Sequence, residues 1–502
     1  MINFCLTNNP TLVNGKWTHK KRLKHGLWLY YDSGVEVLNT RNHWIVFCGI
    51  LWQGEIIDFI DSVKQNGIFY AIVINKKSGE VQVINDHADS FYLTYYAEGR
   101  HFVVTNEIKV YGPSFIIDLR WINLSKRGTE YPLPTVPHPE VQYQSSGSEN
   151  ITPYEGVKFI GAGDVLTLQG WDDFDCLPTI TNWFTFHRDI GKLFLDTPKH
   201  DYQSALATTK QIISENCERI KEKYKDKLIH FCSTGVDSLT LQSYLDDVPM
   251  YGLYCKEFNQ YHEPEDLFKN LYNEHKGTLY YFNSDEIQDI LDSQLPKIQR
   301  ISKPYPIINM MFMHLIDRYE LNDRVIVQGS YGDDVFWHKR RIITCHAVHR
   351  WGMKDAELIW DMCLPRYGFG GPSISTGTYS KESRIDEMNK YISNPYTDFA
   401  PALMAHRYIN RLQPSQFMSD QLIIDPYMDL RLWSLLPSSD VATQEASILD
   451  AQIQKDIISD KFKPYINPYT SGAFGQMLYD NVSGFNDKKF KRKIVTSFLQ
   501  NL

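Results

Sequence analysis

The sequence predicts a mixed architecture, an α+β region followed by an α/β region built on a parallel sheet, and three observations lead there. Short strand-like runs punctuated by turn residues occupy the chain up to about Ile122. From Leu228 to Val327, apolar strand-like runs alternate with helical patterns, as parallel strands joined by crossover helices require. One of these runs, Leu228-Ile229-His230-Phe231, stops abruptly at Cys232-Ser233-Thr234-Gly235 and is followed by Val236-Asp237-Ser238 and an apolar segment, which reads as strand, turn, helix.

In chain order, strands are predicted at 44–50, 68–74, 81–84 and 102–105, with a helix over 55–63 and a hairpin turn at 75–80. The polar, proline-rich span 124–150 reads as a long loop, and two further strands follow at 157–160 and 164–168. A helix over 202–223 leads into the strand at 228. Further strands are expected at 251–255, 278–282 and 324–327, and helices at 264–275 and 309–319; beyond His338 the pattern is mainly helical.

At 502 residues, 43% of them hydrophobic and 22% charged, the chain exceeds the size at which a single core stops growing. Two domains are expected, 1–195 and 196–502. The formal charge of −8 provides no general attraction to nucleic acid or to an anionic membrane. Of the two dense basic runs, Lys20-Lys21-Arg22-Leu23-Lys24 reads as solvated surface; the other is Lys339-Arg340-Arg341. Met1 to Thr7 is apolar but has no basic leader, and no stretch approaches the length of a membrane span, so the expected location is cytoplasmic. Eight cysteines without a CxxC pair are expected to be buried and reduced rather than disulfide-bonded or zinc-bound.

Chemistry concentrates at the turn after Phe231. Backbone N–H groups converge there, Ser233 and Ser238 add hydroxyls, and Asp237 can hold a divalent cation against a phosphate. No lysine closes the loop as in GxxxxGK[ST], and the dinucleotide GxGxxG is absent. A second polar loop, Gln328-Gly329-Ser330-Tyr331-Gly332-Asp333-Asp334-Val335-Phe336, follows another strand. In one sheet with the first, it brings Asp333 and Asp334 to the edge that carries Asp237.

The first loop resembles the SGGxDS loop of the PP-loop ATP pyrophosphatases, with Thr234 in place of the second glycine. Gly329 to Phe336 resembles GEGADELF of the asparagine synthetases, and Pro426-Tyr427-Met428-Asp429 resembles their PFLD. Lys455 to Gly475 resembles their lysine-containing C-terminal segment. Gly67 to Ile72, Asp86 to Tyr92 and Asn106 to Lys109 follow the family's glutaminase domain in order, and Phe159 to Gly163 and Asn182-Trp183-Phe184 resemble its end. The resemblance implies an N-terminal Ntn-hydrolase-like αββα sandwich and a C-terminal PP-loop parallel α/β domain with a helical C-terminal part.

Departures from the family shape the functional expectation. Class II glutaminases use a free N-terminal cysteine; here Cys5 follows four residues and reads as a strand-core thiol. The arginine-rich RGPD segment is not recognisable, the NG pair appears as Cys48-Gly49, and the DG pair appears as Asn66-Gly67. The first domain is therefore expected to have lost glutaminase chemistry, as in β-lactam synthetases and lasso-peptide cyclases.

What the resemblance implies is adenylation of a carboxylate by ATP with release of pyrophosphate, then attack by an amine. Ser233, Thr234, Gly235, Val236 and Ser238 would hold the phosphates, and Asp237 and Asp333 would bind Mg²⁺. Leu253, Gly329 and Ser330 would meet the rest of the nucleotide, with Tyr331, Asp334 and Lys455 as catalytic candidates. The family's glutamate falls on Ser330 and its C-terminal lysine on Ser471, with Lys461 and Lys463 as alternatives to Lys455; a surface lysine is the ordinary reading of each. Small-molecule or peptide carboxylates and amines are the expected partners, nucleic acid and membrane are not, and a homodimer is compatible with the sequence. Three other readings stand beside this one: an ammonia-dependent asparagine synthetase, a non-catalytic nucleotide-binding protein that keeps the fold, and a PP-loop enzyme that modifies a base.

Overall fold

The computed structural model describes residues 2–112 apart from 89, 154–255 apart from 162, 172–174 and 185–197, and 264–294, 306–336 and 421–467 apart from 437, 441, 444–445 and 448–450. The loop expected over 124–150, the helical pattern at 338–420 and Ser471 lie outside these residues.

Two antiparallel six-stranded sheets occupy the N-terminal part. The first contains β1 (Phe4–Thr7), β2 (His19–Arg22), β3 (Trp28–Tyr31), β8 (Leu93–Glu98), β9 (His101–Thr105) and β10 (Lys158–Ile160), in the order β10-β8-β9-β1-β3-β2. The second contains β4 (Glu36–Asn39), β5 (His43–Leu51), β6 (Gly67–Asn75), β7 (Val81–Asn85), β11 (Asp164–Gln169) and β12 (Leu177–Asn182), in the order β12-β11-β7-β6-β5-β4. The apolar runs of β5 and β6 are continuous because both of their faces are covered. Val46, Cys48, Ile50, Tyr70 and Ile72 join Phe4, Leu6 and Leu29 of the first sheet in one core. The alternate residues Ile45, Phe47, Phe69 and Ala71 pack on the other side against Phe59.

The helix expected over 55–63 is instead a short 3₁₀ turn, Ile56–Ile60, which lays Ile56, Phe59 and Ile60 on that outer face. Three apolar residues there satisfy a 3₁₀ face as well as an α one, so periodicity alone did not separate them. No α-helix occurs among the described residues before 202, so the helical outer layers of an αββα sandwich have no counterpart there. The basic run at 20–24 falls largely on β2, an edge strand whose exposed cations discourage edge-to-edge pairing; Lys20 Nζ lies 4.6 Å from the Trp28 ring centre.

Helix α1 (Tyr202–Tyr224) starts where Asp201 accepts from Ser204 N at 2.8 Å and buries Ala205, Ile212, Ile213, Cys217 and Ile220 along one stripe. It leads into a parallel sheet of β13 (Leu228–Phe231), β14 (Met250–Cys255), β15 (Thr278–Phe282), β16 (Val325–Val327) and β17 (Leu422–Ile424), ordered β15-β14-β13-β16-β17. Beyond His338, where a mainly helical pattern is expected, the described residues also contain the short strand β17: Leu422, Ile423 and Ile424 pair in parallel with Val325, Ile326 and Val327. Helices α2 (Val236–Gln242), α3 (Glu265–Glu274), α4 (Ile287–Gln294), α5 (Pro306–Arg318) and α6 (Gly332–Val335) connect or follow these strands, and α7 (Leu430–Leu435) and α8 (Gln452–Ile457) come later.

The sandwich and the parallel sheet share one apolar core, in which Tyr70 and Ile72 belong to the same cluster as Leu228, Val327 and Ile424. Hydrogen bonds also cross between them. Lys223 Nζ and Tyr224 OH both donate to Gly49 O, at 2.9 and 2.7 Å. Gly49 has a φ of +117°, and a Cβ there would lie 2.0 Å from Ile68 O, so this kink in β5 admits only glycine. The six described cysteines are buried, as expected. Among the described residues, no helix is long and apolar enough to cross a membrane.

Candidate functional site

In the parallel sheet, β14 and β15 extend to one side of β13, and β16 and β17 extend to the other. Crossover direction reverses between β13 and β16, and ligands of open α/β sheets bind outside the carboxyl ends of strands at such a reversal. The two loops singled out in the sequence, at 232–238 and 328–336, leave β13 and β16 there. The third polar segment at this edge, 425–429, follows β17.

In the first loop, Ser233 Oγ accepts from Gly235 N at 3.2 Å and lies 3.1 Å from Ser238 Oγ. Both serines are half-buried, while Thr234, the residue at the family's glycine position, is fully buried; its carbonyl accepts from Asn467 N at 3.0 Å. Gly235 and Val236 begin α2, and Asp237 lies in its first turn. Leu253 is half-buried on the adjacent β14.

The second loop approaches the first very closely. A Cβ on Gly332 would lie 2.3 Å from Asp237 Oδ1 and 2.4 Å from its Cγ, so the Asp237 carboxyl rests directly on the backbone of α6. That turn carries Asp333 and Asp334, whose side chains lie outside the described residues. Gly329 is half-buried and Ser330 is exposed. Tyr331 is buried in the cluster that holds Val335 and Phe336, turned away from solvent.

Three residues that sequence reasoning gave no role complete the arrangement. Gln454, wholly buried on α8, donates from Nε2 to Asp237 Oδ1. Tyr427 OH donates to Asp237 O at 2.8 Å, and burial, followed by the nearby Asp237 charge, keeps this phenol neutral well above its ordinary range. Asp425, also wholly buried, accepts from Tyr331 N at 2.9 Å and Tyr427 N at 3.0 Å. Asp425 has a sequence signal, since an aspartate before proline ends the apolar run 422–424 at a strand-to-turn boundary. Gln454 has none: a glutamine on a helix reads as surface.

Of the candidate lysines, Lys461 pairs with Asp246 and Lys463 with Asp460, each at 2.7 Å. Lys455 follows Gln454 on α8, is half-buried, and has no carboxylate partner among the described residues. Asp237 supplies a hard oxygen ligand beside a turn bearing two more carboxylates, a donor set that suits Mg²⁺. The described residues alone contain no group of three metal-ligating side chains.

On the glutaminase side, Cys5 sits in mid-strand, paired with Tyr30 and Thr105, and is wholly buried; desolvation raises its thiol pKa far above the ordinary range. It packs with Tyr30, Val103 and Tyr111, on the face of the first sheet opposite Phe4 and Leu6. No protein-family model matches the chain, and no curated protein matches it.

Proposed function

We propose that the chain is an ATP-dependent carbon–nitrogen ligase that adenylates a carboxylate and passes the acyl group to an amine without glutamine as nitrogen donor. The reading extends to the finer fold: a glutaminase-like Ntn sandwich over 1–195 and a PP-loop synthetase domain over 196–502. The observation that supports it most is the approach of Gly332 to Asp237 at the sheet's reversal point, which joins the hydroxyl-bearing loop to the acidic turn.

In this reading a substrate carboxylate oxygen attacks the α-phosphorus of ATP, the α–β anhydride bond breaks, and pyrophosphate leaves. The amine then attacks the acyl carbon and loses a proton as the C–O bond to AMP breaks. Ser233, Ser238 and the backbone at Thr234, Gly235 and Val236 would hold the departing pyrophosphate, with Lys455, next to Gln454 on α8, as the cation. Leu253, Gly329 and Ser330 would meet the rest of the nucleotide. Asp237 and Asp333 would hold Mg²⁺, which when bound neutralises charge on the phosphates. Ser330 cannot act as a base, and Tyr331 would have to leave its buried place to do so, so Asp334 is the proposed proton acceptor.

Pyrophosphate–ATP exchange screened across carboxylates, including peptides and modified nucleosides, tests this reading. Exchange with some carboxylate and its loss in Asp237→Ala, by about a hundredfold or more, is expected; undiminished exchange in the variant would overturn the metal role. Amide formed from glutamine nitrogen would overturn the silent first domain, a reading that the buried Cys5 thiol supports. A second reading, nucleotide binding without turnover, is favoured by the Gln454 amide, which already gives Asp237 a protein partner. ATP binding without any exchange would select it.

A further inference from the structure

The segment 425–429 touches both loops of the candidate site and, at its other end, the N-terminal sandwich. Its first residue fixes the second loop through Tyr331 N→Asp425 at 2.9 Å, and Tyr427 OH fixes the first through Asp237 O at 2.8 Å. Met428 O accepts from the Trp52 indole at 2.6 Å. Asp429 accepts from Asn66 Nδ2 at 2.8 Å, and Leu430 N returns a bond to Asn66 Oδ1 at 3.2 Å. Trp52 and Asn66 bracket the connection between β5 and β6 of the sandwich. Asp425, Tyr427, Met428 and Asp429 are all wholly buried, so this is a packed and hydrogen-bonded path rather than a surface contact.

We propose that this segment is a positioning strap, with Tyr427 and Asp425 as positioning residues, through which the sandwich sets the geometry of the 233–238 loop. The inference rests on the proposed nucleotide reading for its functional consequence, and on the geometry alone for the coupling. The first region then has a role that needs no chemistry of its own: Asn66 holds Asp429, the short segment cannot shift independently, and Tyr427 holds the backbone of Asp237. A chain of directly bonded groups of this kind is the physical form that coupling between distant parts takes.

The test uses the full chain with Asn66→Ala, Tyr427→Phe and the double substitution. Amide hydrogen exchange across 233–238 and 330–332 is measured without nucleotide, and MgATP affinity by calorimetry. Both single variants are expected to exchange faster in these segments while β6 stays protected. Each is expected to raise the MgATP Kd by about threefold to tenfold, the worth of one hydrogen bond. Added to Tyr427→Phe, Asn66→Ala is expected to change Kd by less than about twofold, since both substitutions cut one path. Unchanged exchange at 233–238 in Asn66→Ala, or fully additive effects, would overturn the strap. Should Asn66→Ala fail to fold, Trp52→Phe, which removes the indole bond to the Met428 carbonyl, takes its place, and unchanged exchange at 233–238 in it would overturn the strap. Altered exchange in a chain that binds no ATP would support the strap and sink only the nucleotide reading.

Discussion

The indole of Trp52 donates to the carbonyl of Met428 across 2.6 Å, joining the end of a sandwich strand to the segment beyond the parallel sheet. Beside it, Asp429 has no solvent exposure and collects Asn66, Asn216 at 3.1 Å and the Arg431 guanidinium at 2.8 Å. Replacing Asp429 with alanine removes an acceptor from all three, although Arg431 keeps Glu215 at 2.6 Å and Asn216 keeps the Pro426 carbonyl at 3.0 Å. Because Arg431 keeps a quarter of its side chain in solvent and a second carboxylate partner, the expected cost lies at or just below the lower end of the range for a broken buried pair, about 2–4 kcal/mol. Urea unfolding monitored by tryptophan fluorescence measures it.

Gly332→Ala would place a methyl 2.3–2.8 Å from the side chain of Asp237. Either the carboxylate or the α6 turn must move. A loss of about 1–3 kcal/mol in stability is expected from overpacking, with a disproportionate fall in pyrophosphate exchange, since displacement at a reacting centre costs more than its strain. Comparing the exchange rate with the urea midpoint separates the two effects.

Burial holds His230 and His87 at about 4, below the ordinary 6.5 of imidazole, while burial raises Asp86 from 3.8 to about 6. Between pH 6.5 and 4 the unfolded chain binds imidazole protons that the folded chain refuses, so stability falls as the pH falls, by up to about 3 kcal/mol for each histidine. Asp86 acts in the opposite sense between pH 6 and 3.8, because its folded form takes the proton first. Asp164, raised by burial, sides with Asp86, and His275, lowered by burial, sides with the other two histidines; three imidazoles outweigh two carboxyls, and unfolding midpoints are expected to fall from pH 6.5 to 4.5. His230→Gln is expected to flatten that slope, because it removes a ring whose Nδ1 lies 2.6 Å from Gln242 and whose Nε2 has no partner among the described residues.

The lysines divide by their partners. Lys455→Met is expected to lower pyrophosphate exchange by about tenfold or more while changing stability by no more than about 0.5 kcal/mol. Lys461→Met removes an exposed pair with Asp246 and is expected to leave exchange unaltered. Parallel exchange and melting measurements on both variants check the contrast.

Where burial imposed a period on the residues, the fold could be read from the sequence. The runs at 44–50, 68–74 and 278–282 became β5, β6 and β15 with ends moved by at most one residue, and the stripe over 202–223 became α1. Segments whose residues answer to neighbours rather than to a period escaped. β2 is a polar edge strand, and β17 has three residues recognisable only by pairing with β16. At the candidate site, the loops after β13 and β16 were visible because small, acidic and glycine residues interrupt apolar runs. The supporting contacts of Asp425, Tyr427 and Gln454 were not, although the first two lie in a recognisable segment, because their partners lie between 94 and 217 residues away along the chain.

Several bonds that join the sandwich to the rest of the molecule end on main-chain carbonyls, Trp52 on that of Met428 and Lys223 and Tyr224 on that of Gly49, whereas Asn66–Asp429 and Lys223–Glu36 join side chains. No codon specifies a carbonyl oxygen. Half of each carbonyl contact is thus immune to substitution, and Gly49 has two donors, so loss of either leaves the other in place. A seam of this kind tolerates sequence drift on its acceptor side, leaving the outward faces of both parts open to change while the junction endures.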